Sequence, residues 1–178
     1  MHRHILLSLL LLLIAFTHCK ESLAQERGSI TLELNPLAGK EGLAFYKVKN
    51  VVKADEENCH NCLAISVNDL EFVPLLSSED IKAFHWEEQR IELSDEAKSR
   101  MAIMEIPLEG LPVAMVLDGE VIYTFWLWNV YSSFSCDRVY AYPGKSFVLG
   151  HGLPASAAFG EDPRFDPRIR TWLILQGL

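Results

Sequence analysis

Glu57-Asn58-Cys59-His60-Asn61-Cys62 sets two cysteines two residues apart with a histidine between them. Residues of these types at this spacing support several kinds of chemistry. A Cys-x-x-Cys pair is half of a tetrahedral zinc site, and the other half would have to come from Cys136 and one of His60, His85 and His151. A second Cys-x-x-Cys, or a close Cys/His pair around Cys136, is missing, so that reading lacks its usual partner motif. A thioredoxin-like dithiol needs the motif at the start of a helix that follows a strand, where the helix dipole lowers the thiol pKa. Here the motif precedes a strand pattern. Haem attachment needs a histidine directly after the second cysteine, and Leu63 stands there. The remaining reading is a structural disulfide. A Cys59–Cys62 bond closes a tiny loop and contributes roughly 2 kcal/mol by chain entropy, whereas a bond from this loop to Cys136 closes about 75 residues and contributes roughly 4–5 kcal/mol. Strand phase permits the longer bond, because Cys62 and Cys136 both fall off the main apolar phase of their segments. Cys59, Cys62 and Cys136 are therefore disulfide candidates, with Cys136 the favoured partner of the loop. No catalytic residue, cofactor or metal is assigned.

The compartment decides whether cysteines pair. Residues 5–16, Ile5 to Phe16, are apolar but for Ser8, and they follow the weakly basic start Met1-His2-Arg3-His4. Such a run is too short to span a bilayer, which takes about 20 residues, and it fits a secretory signal. Ser22-Leu23-Ala24 offers small residues for cleavage, so residues 1–24 read as a signal peptide and the mature chain is expected to begin at Gln25. Cys19 is a candidate lipidation site, though its neighbour His18 is not the small residue normally found before a lipidated cysteine. The expectation is an exported protein, periplasmic or extracellular, and tethered to a membrane only if Cys19 is lipidated. Cysteines exported to an oxidising compartment tend to pair.

At 178 residues the chain is sized for one ordinary domain, and its formal net charge of −8 argues against a nucleic-acid partner. The elements that must position the cysteines follow from periodicity. Ile30, Leu32 and Leu34 alternate as a strand. A second strand is expected from Ala44 to about Val52, and a third from Cys62 to Val67, which puts the cysteine pair at the end of a hairpin-like connection. Ser77 and Asp80 form a capping-box pattern ahead of a short helix expected over 78–84. A strand over 89–93 leads to a second helix capped by Ser94, with Ala97, Met101 and Met104 as its apolar stripe. Val113 to Leu117 and the return strand Glu120 to Tyr131 flank Asp118-Gly119, a preferred two-residue hairpin turn. A last strand is expected over 135–142. The tail from Lys145 to Asp162 is expected to wrap the surface, and Asp166-Pro167 starts a final helix. On the return strand, Trp126 and Trp128 share one face and Phe125 and Leu127 the other. A strand apolar on both faces is either covered on both sides, here by the tail and final helix, or offers aromatics to a partner. Acid-rich 87–92 reads as a solvated strand face, and no G-x-S-x-G elbow or phosphate loop is present.

Three pieces of sequence carry a resemblance. They are Pro74-Leu75-Leu76-Ser77-Ser78-Glu79-Asp80-Ile81, then Ile91-Glu92-Leu93-Ser94-Asp95-Glu96-Ala97, then Gly110-Leu111-Pro112-Val113-Ala114-Met115-Val116-Leu117-Asp118-Gly119-Glu120-Val121. On these, and on the strand Phe45 to Val48, the chain from about Leu70 to Pro143 resembles the head subdomain of the first periplasmic domain of the protein-export accessory proteins SecD and SecDF. Those proteins carry six membrane-spanning helices whose ionisable residues couple protons, and no such helices follow the signal here, so translocase activity is not implied. The resemblance implies a head-like α+β fold used alone, with a peptide- or protein-binding role.

The expectation is thus an α+β protein: a mostly antiparallel sheet with two short helices over residues 25–143, and a C-terminal extension over 144–178 ending in a docked helix. The leading function is a non-catalytic exported module binding a peptide or an envelope protein, with Trp126 and Trp128 as partner-binding residues. The alternative is a thiol-active or metal-binding protein using Cys59, Cys62 and Cys136.

Overall fold

The computed structural model describes residues 35–178 apart from Ala38, Lys145 and Ser146. Residues 1–24, read as a signal peptide, Cys19 and the strand read at Ile30 to Leu34 lie outside the described residues. The fold is α+β. Seven strands form one sheet: β1 (Leu43–Lys47), β2 (Ile81–His85), β3 (Arg90–Leu93), β4 (Leu111–Leu117), β5 (Glu120–Leu127), β6 (Cys136–Ala141) and β7 (Phe147–Leu153). Their spatial order is β1-β4-β5-β6-β7-β3-β2. Two α-helices accompany them, α1 (Asp95–Ala102) and α2 (Pro167–Gln176). Among the described residues no helix is long and apolar enough to cross a membrane.

Alternating apolar residues set the inner face. Phe45, Ile81, Phe84, Ile91, Leu93, Val113, Met115, Phe125, Leu127, Val139, Ala141, Phe147 and Leu149 enter one buried cluster, which takes residues from all seven strands. Ala97 and Met101 of α1 and Ile169 and Leu173 of α2 close over it. Each large apolar side chain so buried contributes about 1.5–3 kcal/mol relative to exposure, and Phe45, Phe125 and Phe147 also meet at ring-centroid distances of 5.7–6.2 Å.

The pairing is antiparallel throughout except for β5 with β6, which run parallel and pair only at Trp126–Tyr140 and Leu127–Ala141. The chain returns from the end of β5 to the start of β6 through residues 128–135, without a helix. That short crossover runs along the face of β5 opposite the main core, the face that carries Trp126 and Trp128.

Several local expectations are revised. Residues 78–80 form a single 3-10 turn, and the segment expected to continue as helix is strand β2. The Ser77/Asp80 capping box is present, but pairing with β3 and burial of Ile81 and Phe84 win over helical continuation. The strand expected from Cys62 to Val67 reduces to one bridge, Lys53 with Leu63, after which Ser66 caps a 3-10 turn at Val67–Asp69. β1 ends at Lys47 rather than Val52, and Val48 bridges Leu70 instead. β5 stops at Leu127 because the Asn129 side chain accepts from Tyr131 N (2.9 Å) and turns the chain. Residues 147–153, read as surface tail, are β7, which lies between β6 and β3.

Candidate functional site

The cysteine loop stands on a small neck. Lys53 and Leu63 bridge, Ala54 N donates to Cys62 O and Ala64 N donates to Val52 O, so residues 52–54 and 62–64 form a two-stranded stem. Asn58 at the loop tip has φ 66°, a left-handed conformation that asparagine tolerates better than most side chains. Within the loop Cys59 and Cys62 are joined by a disulfide, with their Cα atoms 5.6 Å apart. The favoured pairing with Cys136 is not the one formed. Cys136 is a free thiol, fully buried in a second cluster with Trp126 and Trp128, packed by Leu63, Tyr140 and Leu153. Burial pushes this thiol up to about 11, so it stays protonated and inert.

The loop is fastened to β5 and β6 by polar contacts. His60 N and Asn61 N donate to the Asp137 carboxylate at 2.6 and 3.0 Å, and Asp137 N donates back to Asn61 Oδ1 at 3.3 Å. The Trp126 indole Nε1 donates to Asn61 O at 3.0 Å. Lys53 Nζ donates to His60 O and lies 5.3 Å from the centre of the Trp126 ring. His60 Nδ1 is 3.4 Å from Asp137 Oδ2, although the imidazole itself projects into solvent. Asp137, at the start of β6 and 8 % exposed, was not singled out by sequence reasoning. The signal that could have found it is an acid inside an otherwise buried strand segment, Cys136-Asp137-Arg138-Val139, which requires a partner.

These contacts determine what the disulfide can do. In a reactive dithiol the amides near the motif favour a thiolate. Here the His60 and Asn61 amides are taken by a carboxylate. Two carboxylate oxygens lie beside the sulfurs, Glu56 Oε2 at 3.5 Å from Cys62 Sγ and Asp137 Oδ1 at 3.9 Å from Cys59 Sγ. Negative charge at these distances opposes a thiolate, so the bond acts as a staple of the loop.

Trp126 and Trp128 are placed together, ring centroids 6.5 Å apart and nearly perpendicular, on the face predicted. They are 5 % and 1 % exposed. The cover is the cysteine loop, not the final helix, which packs on the other face through Ile169 and Leu173. Trp128 rests on Gly110: with φ 86° and a Cβ position 2.8 Å from the indole, no other residue fits there without displacing the ring. The Trp128 indole Nε1 is buried and has no hydrogen-bond partner among the described residues. Beside the two indoles opens a groove of about 470 Å³, lined by Lys53, His60, Glu109, Trp126, Trp128 and Phe134 with neighbouring residues. Phe134 is half exposed, and Val130 and Tyr131 on the same crossover segment are exposed further still.

Other groups weighed in the sequence are dispersed. His85 pairs with Glu92 at the far end of the sheet (2.8 Å). His151 lies on β7 with its Nε2 buried and without a hydrogen-bond partner among the described residues. Cys136, His85 and His151 therefore do not assemble with the cysteine pair into the zinc site considered above.

Comparison with known proteins finds no matching family model, no matching curated protein and no matching solved structure.

Proposed function

We propose that this chain is an exported, non-catalytic binding module, and that it binds an extended peptide segment through the groove between the cysteine loop and the β5–β6 crossover. The observation that carries the reading is the groove's construction. Its floor is the edge of the Trp126 indole, fixed by Asn61 O and backed by the buried Trp128 ring that rests on Gly110, and its outer wall is the half-exposed Phe134. Aromatic surface held rigid before binding costs little further ordering on association, and a groove of about 470 Å³ has room for a few apolar side chains of a peptide. The rim carries both signs, Lys53 and Glu109, together with His60, which suits the alternating amides of a peptide.

Two features read from the sequence support the same class of ligand. The apolar start of the chain fits export. The resemblance of residues 70–143 to the SecD and SecDF head subdomain favours polypeptides of the cell envelope as partners. The thiol-active alternative is disfavoured by the carboxylates beside the sulfurs and by the burial of Cys136.

The test is selection from a displayed library of random peptides, followed by affinity measurement on the free peptides. Selected sequences are expected to share an apolar or aromatic anchor, and Phe134→Ala is expected to weaken their binding at least tenfold while Leu175→Ala, on the outer side of α2, leaves it unchanged. Binding insensitive to Phe134 would show that the groove is not the site.

A further inference from the structure

We propose that reduction converts the cysteine loop into a site for a thiophilic divalent cation of the zinc class, with Glu56, Cys59 and Cys62 as its protein ligands and a solvent molecule in the fourth position. The inference is independent of the peptide groove. The two-residue cysteine spacing is that of a zinc half-site, and the ligand atoms of Glu56, Cys59 and Cys62 already lie within 4.8 Å of one another. Tetrahedral zinc with Zn–S of about 2.3 Å and Zn–O of about 2.0 Å places sulfur and oxygen ligands about 3.5 Å apart and two sulfurs about 3.8 Å apart. Glu56 Oε2 is 3.5 Å from Cys62 Sγ and Asp137 Oδ1 is 3.9 Å from Cys59 Sγ. The edge between Glu56 and Cys62 thus exists before any metal arrives and the sulfurs must part, while the Asp137 carboxylate, whose oxygens hold the His60 and Asn61 amides, stays beside Cys59 as a neighbouring negative charge.

The anchors of the loop do not depend on the sulfur–sulfur bond. Asp137 holds the His60 and Asn61 amides, Trp126 holds Asn61 O, and the neck holds residues 54 and 62 together. Reduction therefore leaves the loop that carries Cys59 and Cys62 in place. The carboxylates that oppose free thiolates become an advantage once a cation sits among them, and Lys53 at the neck offsets part of the remaining negative charge.

The chemistry balances simply. A dithiol reductant supplies two electrons and two protons to the Cys59–Cys62 bond and closes to its own disulfide. The cation then displaces the two thiol protons, which leave to solvent. The loop thus carries one cross-link at a time, a disulfide when oxidised and a metal when reduced.

The probe is Co²⁺ added to the full chain carrying Cys19→Ser, before and after treatment with a phosphine reductant that is removed before metal is added. One equivalent is expected to bind only after reduction, with thiolate-to-cobalt charge-transfer absorption and the intense visible bands of tetrahedral cobalt. Cys59→Ser is expected to abolish these bands and Cys136→Ala to leave them. Glu56→Gln, at an exposed position that the fold does not need, is expected to weaken binding at least tenfold. No charge-transfer band in the reduced protein, equal uptake without reduction, or an unchanged affinity in Glu56→Gln would each overturn the proposal.

Discussion

Asn61 and Asp137, 76 positions apart in the chain, hydrogen-bond each other in both directions: Asn61 N donates to Asp137 Oδ1 at 3.0 Å and Asp137 N donates to Asn61 Oδ1 at 3.3 Å. Through this pair the cysteine loop is held to β6 whether or not its disulfide is intact. Asp137→Ala removes the acceptor of two backbone amides, one of them buried, and each such group left unsatisfied costs about 1–3 kcal/mol. The expected loss is about 2–4 kcal/mol, read as a lower urea midpoint at unchanged slope. In a double-mutant cycle with Asn61→Ala the two changes are expected to be strongly non-additive, because they share partners.

The disulfide contributes less than its anchors. The Cys59→Ala/Cys62→Ala variant is expected to lose only about 2 kcal/mol, the chain-entropy value for so small a loop, and to keep the native far-ultraviolet circular dichroism. Thiol counting on Cys19→Ser should find no reactive thiol in the folded protein without reductant and one in denaturant. That one is Cys136, whose burial pushes it up to about 11 and excludes reagents.

Asp80 links the turn before β2 to α1 through Arg100, at 2.8 Å, and also accepts from Ser77 N. Burial alone would raise this carboxyl, but the Arg100 guanidinium and the Ser77 amide outweigh it and hold the group below its usual value. A carboxyl lowered in the folded state contributes stability that is present above its unfolded value and is lost as pH falls through the folded one. Asp80→Asn is therefore expected to destabilise by about 1–2 kcal/mol at neutral pH. The gap to the wild type should close as pH drops below the ordinary aspartate range, as followed by thermal melts across pH.

Gly110→Ala tests the support of Trp128. The substitution adds a methyl group 2.8 Å from the indole at a φ of 86°, a conformation that L residues rarely adopt. The expected cost is about 2–4 kcal/mol, by strain and by displacement of a buried ring. Tryptophan emission should change, and the groove should lose its peptide affinity with it.

Legibility followed the physics of each segment. The hairpin at Asp118-Gly119 was readable because its turn demands positive φ twice, at 49° and 80°, and the residue types say so. The helix at Asp95 was readable from its Ser94 cap, and the final helix from Asp166-Pro167. β7 was not. Its sequence, Phe147-Val148-Leu149-Gly150-His151-Gly152-Leu153, interrupts the apolar alternation with glycines demanded by partners remote in sequence or by the loop that follows. Gly150 lies under the Tyr140 ring, where a Cβ would sit 2.5 Å from it, and Gly152 has φ 76° against Ala158. The two faces of β5 were legible by phase, but what covers the Trp126 face was not. The cover is a loop fixed by Asp137, and an isolated acid in a strand names no partner. Cys136 illustrates the same limit. Its phase put it correctly off the main core, yet phase cannot tell a cysteine next to a disulfide loop from one bonded to it.

The groove itself is tested most directly by the tryptophan indole N–H signals in a two-dimensional proton–nitrogen spectrum, recorded as a selected peptide is added. The expected result is a saturable shift of the Trp126 and Trp128 indoles, which line the groove, with Trp86 and Trp172 unmoved. Shifts confined to Trp86 or Trp172, or a bound peptide that moves none of the four, would contradict a binding site between the cysteine loop and the crossover.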